Sequence, residues 1–346
     1  MENIKKTLLS LNEIMTVSGF ETREKEKLYS FISRYGDARA DRLGNYIVEK
    51  RSRKENAPLL LIDAHIDEIG MTVTKIHEGG FLSVTQIGGL DAHVMQSAEV
   101  EIFGEEVIYG VIGSTPPHLS GRDGKLKKVE ELLIDTGIEK QRLEKLVPIG
   151  SPVRFRERMY ELENDIVCGK SLDNKVCCAC ALEALSRVCR ENMQFDVAVL
   201  LSLREEAGAY AGARVGAQNL RPDIAISLDV NFAEAPETSP AESAKRGEGH
   251  TVSLSAVTSR RLTKEIIGIS KYSRIPYRVI AEPNNVGMNA NVIGLTGEGI
   301  PCADLGIPLG SMHTPAETVS LRDCEGLCRL LVAVMENEAL AKEYAK

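Results

Sequence analysis

The chain of 346 residues has no tryptophan, and aromatic residues make up only 5% of it. That disfavours functions that stack sugars or bases on aromatic platforms. There is no surplus of positive charge either: 42 Lys and Arg stand against 50 Asp and Glu, a net charge of −8. A nucleic-acid binder needs basic groups to neutralise phosphates, so none is expected here. No apolar run approaches the roughly 18 residues of a membrane-spanning helix, and no membrane association is expected. The N-terminal MENIKKTLLSLNEIM mixes charges with apolar residues and has no small-residue cleavage site. It reads as an amphipathic helix and not a signal peptide, which leads to the expectation of a cytoplasmic protein.

Paired CxxC motifs are also missing. Eight cysteines are present, and four of them lie in VCCACALEALSRVC, from Cys177 to Cys189, without a neighbouring His. That spacing does not point to a zinc or iron–sulfur site. On an apolar helix cysteine packs as a small hydrophobe. Unpaired thiols in this number fit a reducing compartment.

What is present is enough apolar material for a core (43%) and length for about two domains. Residues 21–35 have helical periodicity, Asn45–Glu49 reads as a strand, and PLLLI at 58–62 reads as a strand buried on both faces. From Ile69 to Asp165 the texture changes to short alternating segments with Gly and Pro between them: GMTVTKI, FLSVTQI, AEVEIF, EVIYGVIG and PVRFRE. These predict a small all-β barrel or sandwich, interrupted by helical or irregular insertions at Lys125–Thr136 and Lys140–Leu146. After Gly169 helices and apolar strands alternate again: a helix over Asn174–Val188, a strand over Phe195–Leu203, a helix from Gly208, a strand over Ile224–Leu228, and helices at 259–272 and beyond Leu321. The expected architecture is an α/β domain, residues 1–68 and 166–346, holding a mixed sheet flanked by helices. An inserted barrel-like all-β domain occupies 69–165.

Three of the buried strands run directly into polar side chains. LLLIDAHIDEIG delivers Asp63, His65, Asp67 and Glu68; VAVLLSLREEAG delivers Glu205 and Glu206; IAISLDVN delivers Asp229. In open α/β sheets the ligand crevice lies beyond the carboxyl ends of the strands. GKSLDNKV adds Asp173 at a helix start, and IPLGSMHTPAE adds His313 in a loop. Taken singly, a strand-end His is ordinary and a helix-start Asp is an N-cap. Adjacent Glu residues on a strand point to opposite faces unless the strand has ended, as Ala207-Gly208 suggests. Together, imidazoles and carboxylates suit divalent metals such as zinc, cobalt or manganese. More carboxylates than one ion needs suggest two ions sharing a ligand.

HIDEIGM, SLDNKV, EEAGAYAGA, SLDV and HTPAE, in this order, resemble the dinuclear aminopeptidases that include glutamyl aminopeptidase and the tetrahedral aminopeptidases, some of which carry an endoglucanase label. The resemblance spans nearly the whole chain and implies a zinc-peptidase-like fold with two divalent metal ions. It implies that His65 and Asp229 bind one metal, that Glu206 and His313 bind the other, and that Asp173 bridges them. Glu205 would be the general base, and Asp67 would orient the His65 imidazole. The implied substrate is a short peptide with a free N-terminus, and the implied assembly is a homo-oligomer, from dimer to dodecamer, with the β-rich insertion as association surface. Two departures stand out. Val286-Gly287-Met288-Asn289-Ala290 replaces the family's Gly-Gly-Thr-Asp-Ala, and Ser311-Met312 replaces Arg-Tyr before His313. Neither touches an assigned ligand; both bear on substrate preference and turnover.

Other readings of the same residues are a deacylase of N-acyl amino acids, a glycoside hydrolase of the endoglucanase type, and a scaffold whose metals serve only folding. The glycosidase reading leaves His65 and His313 without a role. His118 is expected in a turn or subunit contact, His77, His93 and His250 on the surface or in loops, and the KRGEG run in a solvated loop. GGLDAHV is read as a Gly-rich turn, not a dinucleotide site.

Overall fold

A computed structural model describes residues 1–114, 128–156, 158–236, 238–282 and 288–345. His118 and Val286-Gly287 lie outside the described residues. Helix α1 (Glu2–Glu13) buries Ile4, Leu8 and Leu11, spaced three and four apart on one face. After a short turn of 3-10 helix, α2 (Lys25–Ile32) ends sooner than the periodicity suggests. The chain must come close to the next strands there: a Cβ on Gly36 would lie 2.6 Å from the Glu49 carbonyl oxygen.

The strands β1 (Asp37–Ala40), β2 (Tyr46–Lys50) and β3 (Leu59–His65) lead into the inserted segment. There β4 (Gly70–Ile76), β5 (Phe81–Ile87), β6 (Glu99–Phe103), β7 (Val107–Ile112), β8 (Leu133–Asp135) and β9 (Pro152–Phe155) close into an antiparallel barrel. Helix α3 (Ala92–Met95) and helix α4 (Lys140–Leu146) are its insertions. Part of Lys125–Thr136 is therefore not an irregular insertion. Leu133–Asp135 is the strand that joins β5 to β7, and at three residues it is too short to display alternation. The barrel has its own core, with Met71, Leu82, Val100, Ile102, Ile134 and Val153 all fully buried.

Strand β10 (Met159–Glu161) pairs with β11 (Ile166–Gly169), which leads to α5 (Leu172–Arg187). Next come β12 (Asp196–Ser202), α6 (Ala211–Leu220), β13 (Ile224–Phe232), β14 (His250–Ser255), α7 (Arg260–Tyr272), β15 (Tyr277–Glu282), α8 (Ala290–Ile293), β16 (Cys302–Leu309), β17 (Glu317–Ser320), α9 (Leu321–Met335) and α10 (Glu338–Tyr344). The main sheet has the order β1-β2-β12-β3-β13-β16-β14-β15. Its centre, β12-β3-β13-β16, is parallel, with antiparallel pairs on either side. The continuous apolar runs on β3 and β12 are what a strand covered by helices on both faces requires. Burying each Leu or Ile in full is worth about 1.5–3 kcal/mol.

Helix α5 runs beneath this centre, and Cys177, Cys178 and Cys180 are fully buried along it. The Cys178 thiol donates to the His65 carbonyl (3.1 Å) and the Cys177 thiol to that of Asp229 (3.2 Å). Cys189 differs: it lies past the helix end and is exposed. His250 corrects another expectation. As the first residue of β14 it is fully buried beside the Tyr277 ring, and burial pushes its pKa down to about 4. His77 sits in the turn between β4 and β5, bonded to Ser83, whereas His93 lies in the short helix α3, exposed and bonded to Asp91. Among the described residues no helix is long and apolar enough to cross a membrane.

Candidate metal centre

The four parallel strands deliver their polar residues to one edge. His65 is the last residue of β3, paired in register with Ser202 at the end of β12. Glu205 and Glu206 follow in the turn where Arg204 adopts a positive φ of 60°. The strand has ended by then, so both carboxylates face the same space. On β13, Ser227 pairs with Asp63, so Asp229 stands two residues further along, as His65 does on β3. His313 lies just past β16 with a φ of 60°. Asp173 stands at the start of α5, where the helix dipole favours an anion.

These side chains converge. His65 Nε2 is 3.2 Å from Asp173 Oδ1 and 3.6 Å from Asp229 Oδ1. His313 Nε2 is 3.3 Å from Asp173 Oδ2 and 3.5 Å from Glu206 Oε1. Two ligands bonded to one ion at about 2.0–2.1 Å, with a tetrahedral angle between them, stand about 3.3 Å apart. The donor separations are of that size, and Asp173 is common to both sets. Asp173 Oδ1 is buried and has no hydrogen-bond partner in the chain, as expected of an atom shaped to hold a cation. One donor atom each from His65, Asp173 and Asp229, and from Asp173, Glu206 and His313, lie within 4.8 Å of one another. His65, Glu205 and Glu206 form a third such group. A divalent metal fits this donor set.

The electrostatics carry the same message. Burial pushes Glu205 up to about 9; His65 opposes the rise, and Asp229, Glu206 and Asp173 add to it. Burial likewise raises Glu206 to about 7 against the pull of His313. Burial works against charge on His313, yet its contacts with Asp173 and Glu206 carry it up to about 11. Four carboxylates in so small and dry a volume call for more positive charge than two imidazoles provide.

Two buried carboxylates hold the donors in place through the main chain. Asp67 accepts the amides of Glu205 and Glu206 on its two oxygens, each at 3.1 Å. Its carbonyl lies 3.0 Å from His65 Nδ1, closer than its carboxylate at 3.6 Å. Asp67 thus sets the glutamate pair through its side chain and the imidazole chiefly through its backbone. Glu317, the last residue of HTPAE, does the same for the other segment, accepting the amides of His313 (2.8 Å) and Asp173 (3.1 Å). Sequence reasoning gave Glu317 no role; its place four residues after His313 was the available signal. Glu68, fully buried, meets Lys170, Lys175 and Arg154 and so ties the barrel to the segment that carries Asp173.

The Gly-rich turn after β5 also reaches the centre. A Cβ on Gly88 would lie 3.2 Å from Glu206 Oε2, and one on Gly89 would lie 2.9 Å from His313 Nδ1. The barrel therefore forms part of the wall, and the absence of side chains there makes room for the donors. Asn289, in one of the departures noted above, is buried and donates to Asp63 Oδ2 (2.8 Å) and Ser202 Oγ (3.0 Å). Burial raises Asp63 to about 7, and an amide beside it supplies a donor where a second carboxylate would repel. Met288 and Met312, also in the departures, line the cavity over the centre.

The family model for M42 glutamyl aminopeptidase matches residues 44–330. The chain belongs to the M42 family. Among its relatives, a putative aminopeptidase of Acetivibrio thermocellus is 30% identical over 340 residues, covering 96% of this chain and 98% of that protein. A lysyl aminopeptidase of Pyrococcus furiosus is 28% identical over 307 residues, 87% of each. The structure of the Pyrococcus horikoshii TET1 peptidase, described as assembling into a tetrahedron or a large octahedral shell, superposes with a TM-score of 0.83 at 27% identity, over 96% of this chain and 99% of that one. The matched span, 44–330, contains the segments that carry His65, Asp173, Glu205, Glu206, Asp229 and His313.

Proposed function

We propose that this M42 protein is a dinuclear metallo-aminopeptidase that hydrolyses the first peptide bond of short peptides. The observation that carries the reading is the pair of donor groups joined by Asp173 with Glu205 beside them. His65 and Asp229 hold one divalent ion and Glu206 and His313 the other, with zinc, cobalt or manganese suited to the donors. Bound there, the two ions supply Lewis acidity and bring the pKa of a coordinated water from about 15.7 towards 7. Glu205 takes a proton from the attacking water on its carboxylate and passes it to the leaving amine. Asp67 keeps Glu205 and Glu206 aimed by gripping their amides, and Glu317 does the same for Asp173 and His313. A cytoplasmic location accords with the eight free thiols.

Aminoacyl-anilides and N-acyl amino acids offered side by side separate this reading from that of a deacylase. Hydrolysis of the anilides and not of the N-acyl compounds is expected; the reverse would defeat the aminopeptidase reading.

The inserted segment 69–165 serves, on this reading, as the assembly domain beside a catalytic unit formed by 1–68 and 166–346. Strand β7 alternates strictly, so Ile108 and Ile112 fill the barrel while Val107, Tyr109 and Val111 face outwards at 45% exposure or more. Leu133 on β8 and Phe81 on β5 extend this apolar face. A second copy of the chain is the expected occupant. Light scattering after size exclusion should show a dimer or larger particle, and Tyr109→Glu should shift it to smaller mass. A wild-type monomer at micromolar concentration would count against the proposal.

A further inference from the structure

Beyond the donor groups, the cavity is lined by Val230, Asn231, Phe232, Met288 and Met312 together with two more carboxylates, Glu242 and Glu282. No Lys or Arg is among the described residues that line it. The inner carboxylates, Asp173, Glu205, Glu206 and Asp229, match the charge of two divalent ions. The outer two have no such counterpart. Glu282 ends β15, where its Oε1 accepts a long 3.4 Å bond from Asn231 and the Ser253 hydroxyl stands near, but among the described residues no basic side chain pairs with it.

Distance fits as well as charge. Asn231 follows Asp229 by two residues on β13, so the two share a face about 7 Å apart along the strand. A lysine side chain reaches about 6 Å from Cα to Nζ when extended. A residue whose α-amine lies at the donor groups would therefore carry a lysine-length cation to the carboxylate that Asn231 holds. Its methylenes would lie along the thioether wall, in the way long cationic side chains bury their stems. An acidic residue in the same place would meet two unpaired carboxylates.

We infer that the cavity selects peptides whose N-terminal residue has a cationic side chain, lysine or arginine, with Glu282 as the specificity-determining carboxylate. This rests on the aminopeptidase reading above and names its substrate class.

The test uses the metal-loaded protein on Lys-, Arg-, Leu- and Glu-anilides. The kcat/KM for Lys and Arg should exceed that for Leu by about tenfold or more, with Glu the poorest, since one charge-assisted hydrogen bond distinguishes them. Glu282→Gln should lower the Lys-to-Leu ratio by about 10- to 100-fold. An unchanged ratio would mean that Glu282 holds the α-amine or nothing, and would overturn the inference, as would a wild-type preference for Leu or Glu. Calorimetry with L-lysine and L-norleucine reads the same subsite without turnover: lysine should bind tighter, and the difference should vanish in Glu282→Gln. Lysine binding that depends on Glu282, with no anilide cleaved, would sink the aminopeptidase reading and leave the subsite standing. Cleavage without any preference for cationic residues would sink the subsite alone.

Discussion

Glu205→Gln is expected to lower kcat by about two to four orders of magnitude while leaving the metal content and the fold unchanged. The amide keeps the shape of the side chain but cannot accept a proton. The main-chain amide of residue 205 still reaches Asp67 Oδ1, so the turn that also carries Glu206 keeps its geometry. The variant also decides between two roles that the geometry brings close. Glu205 Oε2 is 3.9 Å from His65 Nε2 and belongs to a donor group of its own with His65 and Glu206. A base loses turnover and keeps metal; a ligand loses both. Metal analysis and steady-state kinetics on one preparation separate these outcomes, and full activity in the variant would end the base assignment. The pH profile follows the same logic. Burial and neighbouring carboxylates raise Glu205 to about 9, and cations at the centre act in the opposite direction. Activity should therefore fall on the acid side as Glu205 takes up a proton. The metal-loaded enzyme should keep its activity well below pH 9.

Asp173→Ala should have the second large effect. Asp173 is the one side chain common to the two donor groups built on His65 with Asp229 and on His313 with Glu206, among the described residues. Its oxygens divide between them, Oδ1 towards His65 and Oδ2 towards His313. Removing it leaves each group with one imidazole and one carboxylate, too few for a stable site. Elemental analysis should show about two equivalents per chain in the reconstituted wild type and less than one in the variant, with turnover lost in parallel. Glu206→Ala, by contrast, breaks one group and should retain about one equivalent. A chelator should inactivate the wild type, and zinc, cobalt or manganese should restore it. Two equivalents retained by Asp173→Ala would show that the site is not bridged.

Parts of this centre were legible because apolar runs point at them. Leu59–Ile62, Val197–Leu201 and Ile224–Leu228 are long enough to be buried parallel strands, and the polar residues that follow them had to emerge at a sheet edge. His65, Glu205, Glu206 and Asp229 could be picked out in that way. Asp173 and His313 could not, because one stands at a helix start and the other in a loop, and both local patterns are shared by ordinary caps and turns; only the order of the motifs singled them out. Glu317 was given no role, and Gly88-Gly89 were read only as a turn, for a related reason. What they do is touch residues far away in the chain, and apart from the place of Glu317 four residues after His313 nothing in their own neighbourhood signals it. His250 was misread because a lone imidazole at a strand start looks the same whether the sheet beside it is covered or open.

The linear chain thus determined the alternation of helices with apolar strands, the β-rich insertion after the His-x-Asp segment and the chemical types at the strand ends, since these follow from periodicity and composition over short windows. The closing of six short strands into a barrel was settled by tertiary structure alone. So were the grip of Asp67 and Glu317 on main-chain amides, the approach of Gly89 to His313, and the sharing of Asp173 between two imidazoles. Most of these contacts join groups separated by tens to hundreds of residues, and those at the centre come within a few ångströms because the sheet order places β12, β3, β13 and β16 side by side.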